Sequence, residues 1–100
     1  MPSYRQAFGA FVVEVMCNPR RGTSSARRLD PDGVDSVWTH VLQATPRSGE
    51  HQAHPPVFDV DAGTVVLHVE SHGASGHEDY EDTFERVRAA DGAVLEHWVR

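Results

Sequence analysis

The chain has no lysine, a single cysteine and no apolar run long enough to span a bilayer. Each shortage removes a class of protein. Cys17 alone cannot form an internal disulfide, and a lone thiol fits a reducing compartment. A membrane-spanning helix needs roughly 18 or more consecutive apolar residues. The opening Met1-Pro2-Ser3-Tyr4-Arg5 lacks the apolar stretch and small-residue cleavage site of a secretory signal. A cytoplasmic location is therefore expected, with no membrane partner. Phosphate loop, dinucleotide fingerprint and Gly-x-Ser-x-Gly elbow are also missing, which leaves nucleotide-dependent and α/β-hydrolase chemistry without a motif.

All nine basic residues are arginine, and fifteen acidic residues outnumber them, for a formal charge of −6. A nucleic-acid binder needs a basic face to displace counterions, so no nucleic-acid partner is expected. Seven histidines are many for 100 residues. Free histidine titrates near about 6.5, so they lift the net charge as pH falls from roughly 7 to 5. One hundred residues suit one domain, 1–100, but so short a chain buries only about 60–65% of its unfolded surface. Pairing with a second copy would enlarge that core, and a homodimer is expected.

Tyr4, Ala7, Phe8, Phe11, Val12, Val15 and Met16 recur at the spacing of one helical stripe. Ser3 is a suitable N-cap, and Pro19 ends the element. Residues 18–29, with Arg20, Arg21, Arg27 and Arg28, are polar and without period, and read as a solvated loop. Asp30-Pro31-Asp32 has the form of a helix start, a capping carboxylate followed by proline. Val34, Val37, Trp38, Val41 and Leu42 follow at helical spacing, up to Thr45 before Pro46.

Beyond that the pattern changes. Residues 47–56 read as a loop, which leaves His51 and His54 solvated. Residues 57–60, 64–71, 80–88 and 93–99 are rich in β-branched and aromatic residues and read as strands. Asp61-Ala62-Gly63 and Asp91-Gly92 supply the hairpin turns. Within 64–72, His68 shares a strand face with Val66, Glu70 and His72. Val65, Leu67 and Val69 share the other, which alternation assigns to the core. Helix, helix, hairpin, hairpin is an α+β order, with two helices on one face of an antiparallel sheet.

The tail Arg88-Ala89-Ala90-Asp91-Gly92-Ala93-Val94-Leu95-Glu96-His97-Trp98 resembles the closing strands of SnoaL-like domains, in the nuclear-transport-factor-2-like superfamily. In that pattern an Asp-Gly turn is followed by an aliphatic pair and Glu-His-Trp. Gly63-Thr64-Val65-Val66-Leu67-His68 is similar to the family's strand ending in histidine. Cys17-Asn18-Pro19 is similar to its His-Asn-Pro. The likeness covers 57–99 and, less closely, 33–43. It implies a cone-like curved antiparallel sheet with N-terminal helices on one face, and a small, mostly apolar organic ligand in the mouth of the cone. The polyketide cyclases of the family need no cofactor and act by proton transfer next to a carbonyl.

By that resemblance His68 and Asp82 stand where the family has its catalytic acid–base pair, with Glu85 as the alternative carboxylate. Asn18, Trp38, Phe84 and Trp98 are the candidates for contact with the ligand. Trp38 and Phe84 suit the core as well, and Trp98 suits a pocket or a dimer seam. A non-catalytic ligand-binding or dimerising module is the alternative function. His68, His72, His77, Glu78 and Asp79 have metal-ligating side chains. Residues i and i+4 of a strand lie about 13 Å apart, however, too far for one ion, and no metal is expected.

Overall fold

The computed structural model describes residues 3–18, 23–43, 51–73 and 79–100. Among them every regular element is a strand. The first sheet is an antiparallel meander of β1 (Ser3–Ala7), β2 (Val12–Asn18), β3 (Thr23–Leu29) and β4 (Ser36–Val41), in that order. The second contains β5 (His51–Ala53), β6 (Val57–Asp59), β7 (Thr64–His72), β8 (Tyr80–Arg88) and β9 (Val94–Val99). Strands β7, β8 and β9 are consecutive antiparallel neighbours, and β5 and β6 both pair with β7. The fold is all-β. This corrects the α+β expectation and the cone with N-terminal helices that the resemblance implied.

The second half keeps its expected strands. Both hairpins form, β6 to β7 and β8 to β9, about turns that contain Gly63 and Gly92. The first half is where the expectation fails, because a helical stripe and a hairpin can share the same apolar positions. Gly9 takes φ 79°, which no helix interior allows, and the chain reverses between Phe8 and Phe11. After the turn, Val13, Val15 and Cys17 point inward while Glu14 and Met16 do not. Three valines in four positions prefer a pleated surface to a helix.

The supposed helix start at Asp30 is a turn instead. The Asp32 carboxylate accepts the N–H of Val34 at 2.8 Å and of Asp35 at 3.3 Å. Capping and Asx-turn chemistry use the same residue, so the local signal is ambiguous. Trp38 and Leu42 then face inward, while Val37 and Val41 are exposed. The arginine-rich loop is likewise part strand. Arg27 stands opposite Glu14, which stands opposite Arg5, and Glu14 accepts from both guanidinium groups at 2.8–3.0 Å.

The two sheets share one core. Phe11, Val13, Val15, Cys17, Ala26, Trp38 and Leu42 from the first half meet Val65, Leu67, Val69, Val87 and Ala89 from the second. Phe8, Phe11 and Phe58 close one end as a ring cluster with centroids 5.0–5.6 Å apart. Trp38 lies against the β8–β9 turn. A Cβ on Gly92 would sit 2.7 Å from the indole, and the indole N–H donates to the Ala89 carbonyl at 2.9 Å. Gly92 thus serves the positive-φ turn and the close approach of the two sheets together. Among the described residues no helix is long and apolar enough to cross a membrane.

Candidate functional site

Pleat alternation divides the second sheet into two chemistries. On β7 the inward residues Val65, Leu67, Val69 and Ser71 are buried, and Val66, His68, Glu70 and His72 lie on the outer face, half-buried. Register then sets the outer neighbours. His68 stands opposite Phe84, Glu70 opposite Asp82, and His72 opposite Tyr80. Phe84 stands in turn opposite Trp98 of β9.

His54 completes the row. The edge strand is broken at Pro55-Pro56, which offer no N–H to a ladder and are tolerated only at an edge or a bulge. Ala53 pairs with Val69 and Val57 with Val66, so the two prolines stand against the single position Leu67. This bulge holds His54 opposite His68, whose carbonyl accepts the His54 N–H at 3.1 Å. The result is a ladder of stacked rings across four strand positions. His54 and His68 have centroids 4.0 Å apart at 10°, His68 and Phe84 4.1 Å at 17°, and Phe84 and Trp98 5.3 Å at 2°. The Arg100 guanidinium lies 5.3 Å from the Phe84 centroid.

Beside the rings runs a line of carboxylates. His68 Nε2 and Asp82 Oδ1 are 2.8 Å apart, diagonal neighbours on the paired strands, with 23% of each side chain exposed. Glu70 is hydrogen-bonded to His72 Nε2, and its other oxygen lies 3.4 Å from His54 Nε2. That last contact is an ion-pair approach and not a hydrogen bond; the nitrogen is buried with no hydrogen-bond partner among the described residues. Two carboxylates directly opposed on a sheet repel one another. Here they are held together by the imidazoles that flank them.

The residues singled out from sequence therefore separate. His68, Asp82, Phe84 and Trp98 meet on one face. Asn18 is at the exposed end of β2 in the other sheet, and Trp38 is in the core under Gly92, so neither joins them. Glu85 is on the opposite side of β8, fully buried between the sheets. It accepts the Gln43 N–H at 2.7 Å and is hydrogen-bonded to His40 Nε2 and, at 3.1 Å, to His97 Nδ1. Glu85 and Asp82 therefore cannot exchange roles in one site. His77 and Glu78 lie outside the described residues.

The sequence singles out neither His54 nor Glu70 as a site residue, and the loop expected over 47–56, with His51 and His54 solvated, is corrected: His51 is buried in β5 and His54 is stacked on His68. Glu70 was visible by alternation as a neighbour of His68. His54 depends on a bulge at Pro55-Pro56 and has no periodic signal. Cys17 is buried behind the core, and burial pushes its thiol above the usual range, partly offset by a hydrogen bond from Ser24 at 3.5 Å. That environment suits an inert packing residue. No protein-family model matches this chain, and neither a curated protein nor a solved structure is significantly similar to it.

Proposed function

We propose that this protein binds a small, planar, carbonyl-bearing organic molecule on the outer face of its second sheet, in a cytoplasmic setting, without a cofactor. The observation that carries this reading is the 2.8 Å His68–Asp82 pair set beside the Phe84–Trp98 stack. Flat aromatic walls favour a flat ligand, because stacked rings prefer parallel, offset contact worth about 0.5–1.5 kcal/mol beyond burial. The dyad supplies one acceptor and one donor at the edge of that wall.

The dyad can also move a proton. The Asp82 carboxylate takes a proton from the carbon next to the ligand carbonyl, and the electron pair passes to the oxygen as an enolate. The ring nitrogen of His68 not bonded to Asp82, or the Arg100 guanidinium that lies over Phe84, would donate to that oxygen. Protonated Asp82 trades its proton with water and delivers one back to carbon, at the same carbon for exchange or at a conjugated carbon for isomerisation, which regenerates the carboxylate. A dyad with a quarter of its surface open to water is poorly shielded, which favours binding without turnover as the second reading.

The probe is 2-acetylnaphthalene, a flat aromatic ketone, incubated with the protein in D2O while NMR follows its methyl protons. Protein-dependent deuteration that drops on the order of 10²–10⁴-fold in Asp82→Asn is the expected result. His68→Ala should lose less, because water replaces a polarising donor in part. Binding of the ketone with no deuteration would leave the non-catalytic module. No binding at all would sink both readings.

A further inference from the structure

The geometry points to a second use of this face: we infer that His54, His68 and Asp82 form a binding site for one divalent transition-metal ion, with coordination positions left open. The inference goes beyond the organic-ligand reading: it shares His68 and Asp82 with that reading and adds His54.

Three observations converge. The ligating atoms of the three residues all lie within 4.8 Å of one another. Two of them are close to the separation an ion requires. Tetrahedral ligands about 2.0–2.1 Å from zinc are about 3.3 Å apart, and an ion that replaces the proton shared by His68 Nε2 and Asp82 Oδ1, now 2.8 Å apart, needs only a small opening. The buried His54 Nε2 lacks a hydrogen-bond partner among the described residues, an expensive state for a polar atom beside two carboxylates. A dication would relieve the remaining cost, since Glu70 and Asp82 are paired directly across β7 and β8.

The His54–His68 stack fixes what must move. Near-parallel rings at 10° with centroids 4.0 Å apart have separate planes, so one ion cannot lie in both. Binding therefore opens the stack by rotation about imidazole χ2, a broad torsion that costs little. Glu70 Oε1, 3.4 Å from the same His54 Nε2, is the neighbour that the ion displaces from this nitrogen. Two imidazoles and one carboxylate suit zinc, ferrous iron, cobalt or nickel, and not the hard oxygen-seeking calcium or magnesium.

The test uses the full chain, freed of metal by chelation and titrated with Zn2+ by calorimetry and with Co2+ by visible absorption. One ion per chain is expected, with the His54 and His68 ring nitrogens shifting in a long-range 1H–15N spectrum. His54→Ala should weaken Zn2+ affinity at least tenfold, within the about 10–100-fold range that loss of support at a metal site costs. Asp82→Asn should weaken it as well, by loss of the anionic oxygen ligand. Circular dichroism on both variants checks that the sheet is intact. Zn2+ affinity unchanged in a folded His54→Ala variant, or no uptake by the wild type at 100-micromolar-scale concentrations (about 0.1 mM, an ordinary weak-site range), would overturn the site. Ketone binding without metal binding would sink the metal site alone, and the reverse would sink the organic-ligand reading alone.

Discussion

Removing the Glu85 carboxylate should be among the most damaging single changes this chain can suffer. Glu85 points inward from β8 and is fully buried. Three groups depend on it: the Gln43 N–H at 2.7 Å, His97 Nδ1 at 3.1 Å and His40 Nε2. His40 and Gln43 lie in the first half of the chain and Glu85 and His97 in the second, so the cluster ties the halves together. Glu85→Ala leaves all three without their acceptor and opens a cavity. Breaking a buried polar cluster from one side costs about 3–5 kcal/mol, against about 5–15 kcal/mol of total stability for a domain. Glu85→Gln is milder. Its carbonyl can still accept from Gln43, and His40 can accept from its amide in the other tautomer, so about 1–2 kcal/mol is lost. At about 4–8 °C per kcal/mol for a domain near this size, thermal unfolding should fall by about 12 °C or more in the alanine variant and by roughly half that or less in glutamine. Circular dichroism at a sheet wavelength measures both. An alanine variant within about 4 °C of wild type (under 1 kcal/mol by that conversion) would refute the placement of Glu85 between the sheets.

Other outcomes follow from separate parts of the fold. Gly92→Ala places a Cβ 2.7 Å from the Trp38 ring at φ 75°, whereas Gly9→Ala at φ 79° meets nothing within 4 Å. Both incur backbone strain, but the former adds about 1–3 kcal/mol of overpacking; equal losses in urea unfolding would contradict the Trp38–Gly92 contact. Burial pushes the Glu14 carboxyl up, but hydrogen bonds from Arg5 and Arg27 outweigh it and hold it below its ordinary 4.5. Its contribution, about 1 kcal/mol for two partly exposed pairs, is complete above pH about 4.5 and is lost as pH falls through the lowered value. The stability gap between wild type and Glu14→Gln should therefore narrow steadily as pH falls below 4.5, and a gap that stays constant would refute it. Exposed Val94, Leu95 and Val99 on the edge strand β9 favour pairing with a second copy; light scattering should give a dimer at micromolar concentration, and a monomer would count against it.

How much of this was legible in the sequence differs between the halves. In the second half, β-branched runs and Asp-Gly turns agree with each other, and alternation alone put His68 outward and Val65, Leu67 and Val69 inward, as they are. In the first half two periods fit the same residues. Val12, Val15 and Met16 satisfy a helical spacing, and Val13, Val15 and Cys17 satisfy a strand; Gly9 and the density of valine decide for the strand. The site was half visible. His68 and Asp82 were paired by a family likeness, while the register places Asp82 diagonally to His68 and opposite Glu70. His54 arrives by a proline bulge, and His40 reaches Glu85 from the other sheet. Long-range pairings of that kind leave no local trace in the sequence.

The outer face of β7, β8 and β9 is most directly tested by a ring-resolved NMR titration of the full chain with 2-acetylnaphthalene. The aromatic resonances of His68, Phe84 and Trp98 should shift together along one saturating curve, with Trp38 and the buried Val13, Val65 and Val87 methyl groups unmoved. Asp82→Asn should weaken the curve while leaving the ring–ring contacts of the ladder in place. Shifts confined to the core, or spread evenly over exposed residues with no common curve, would contradict a binding site on this face.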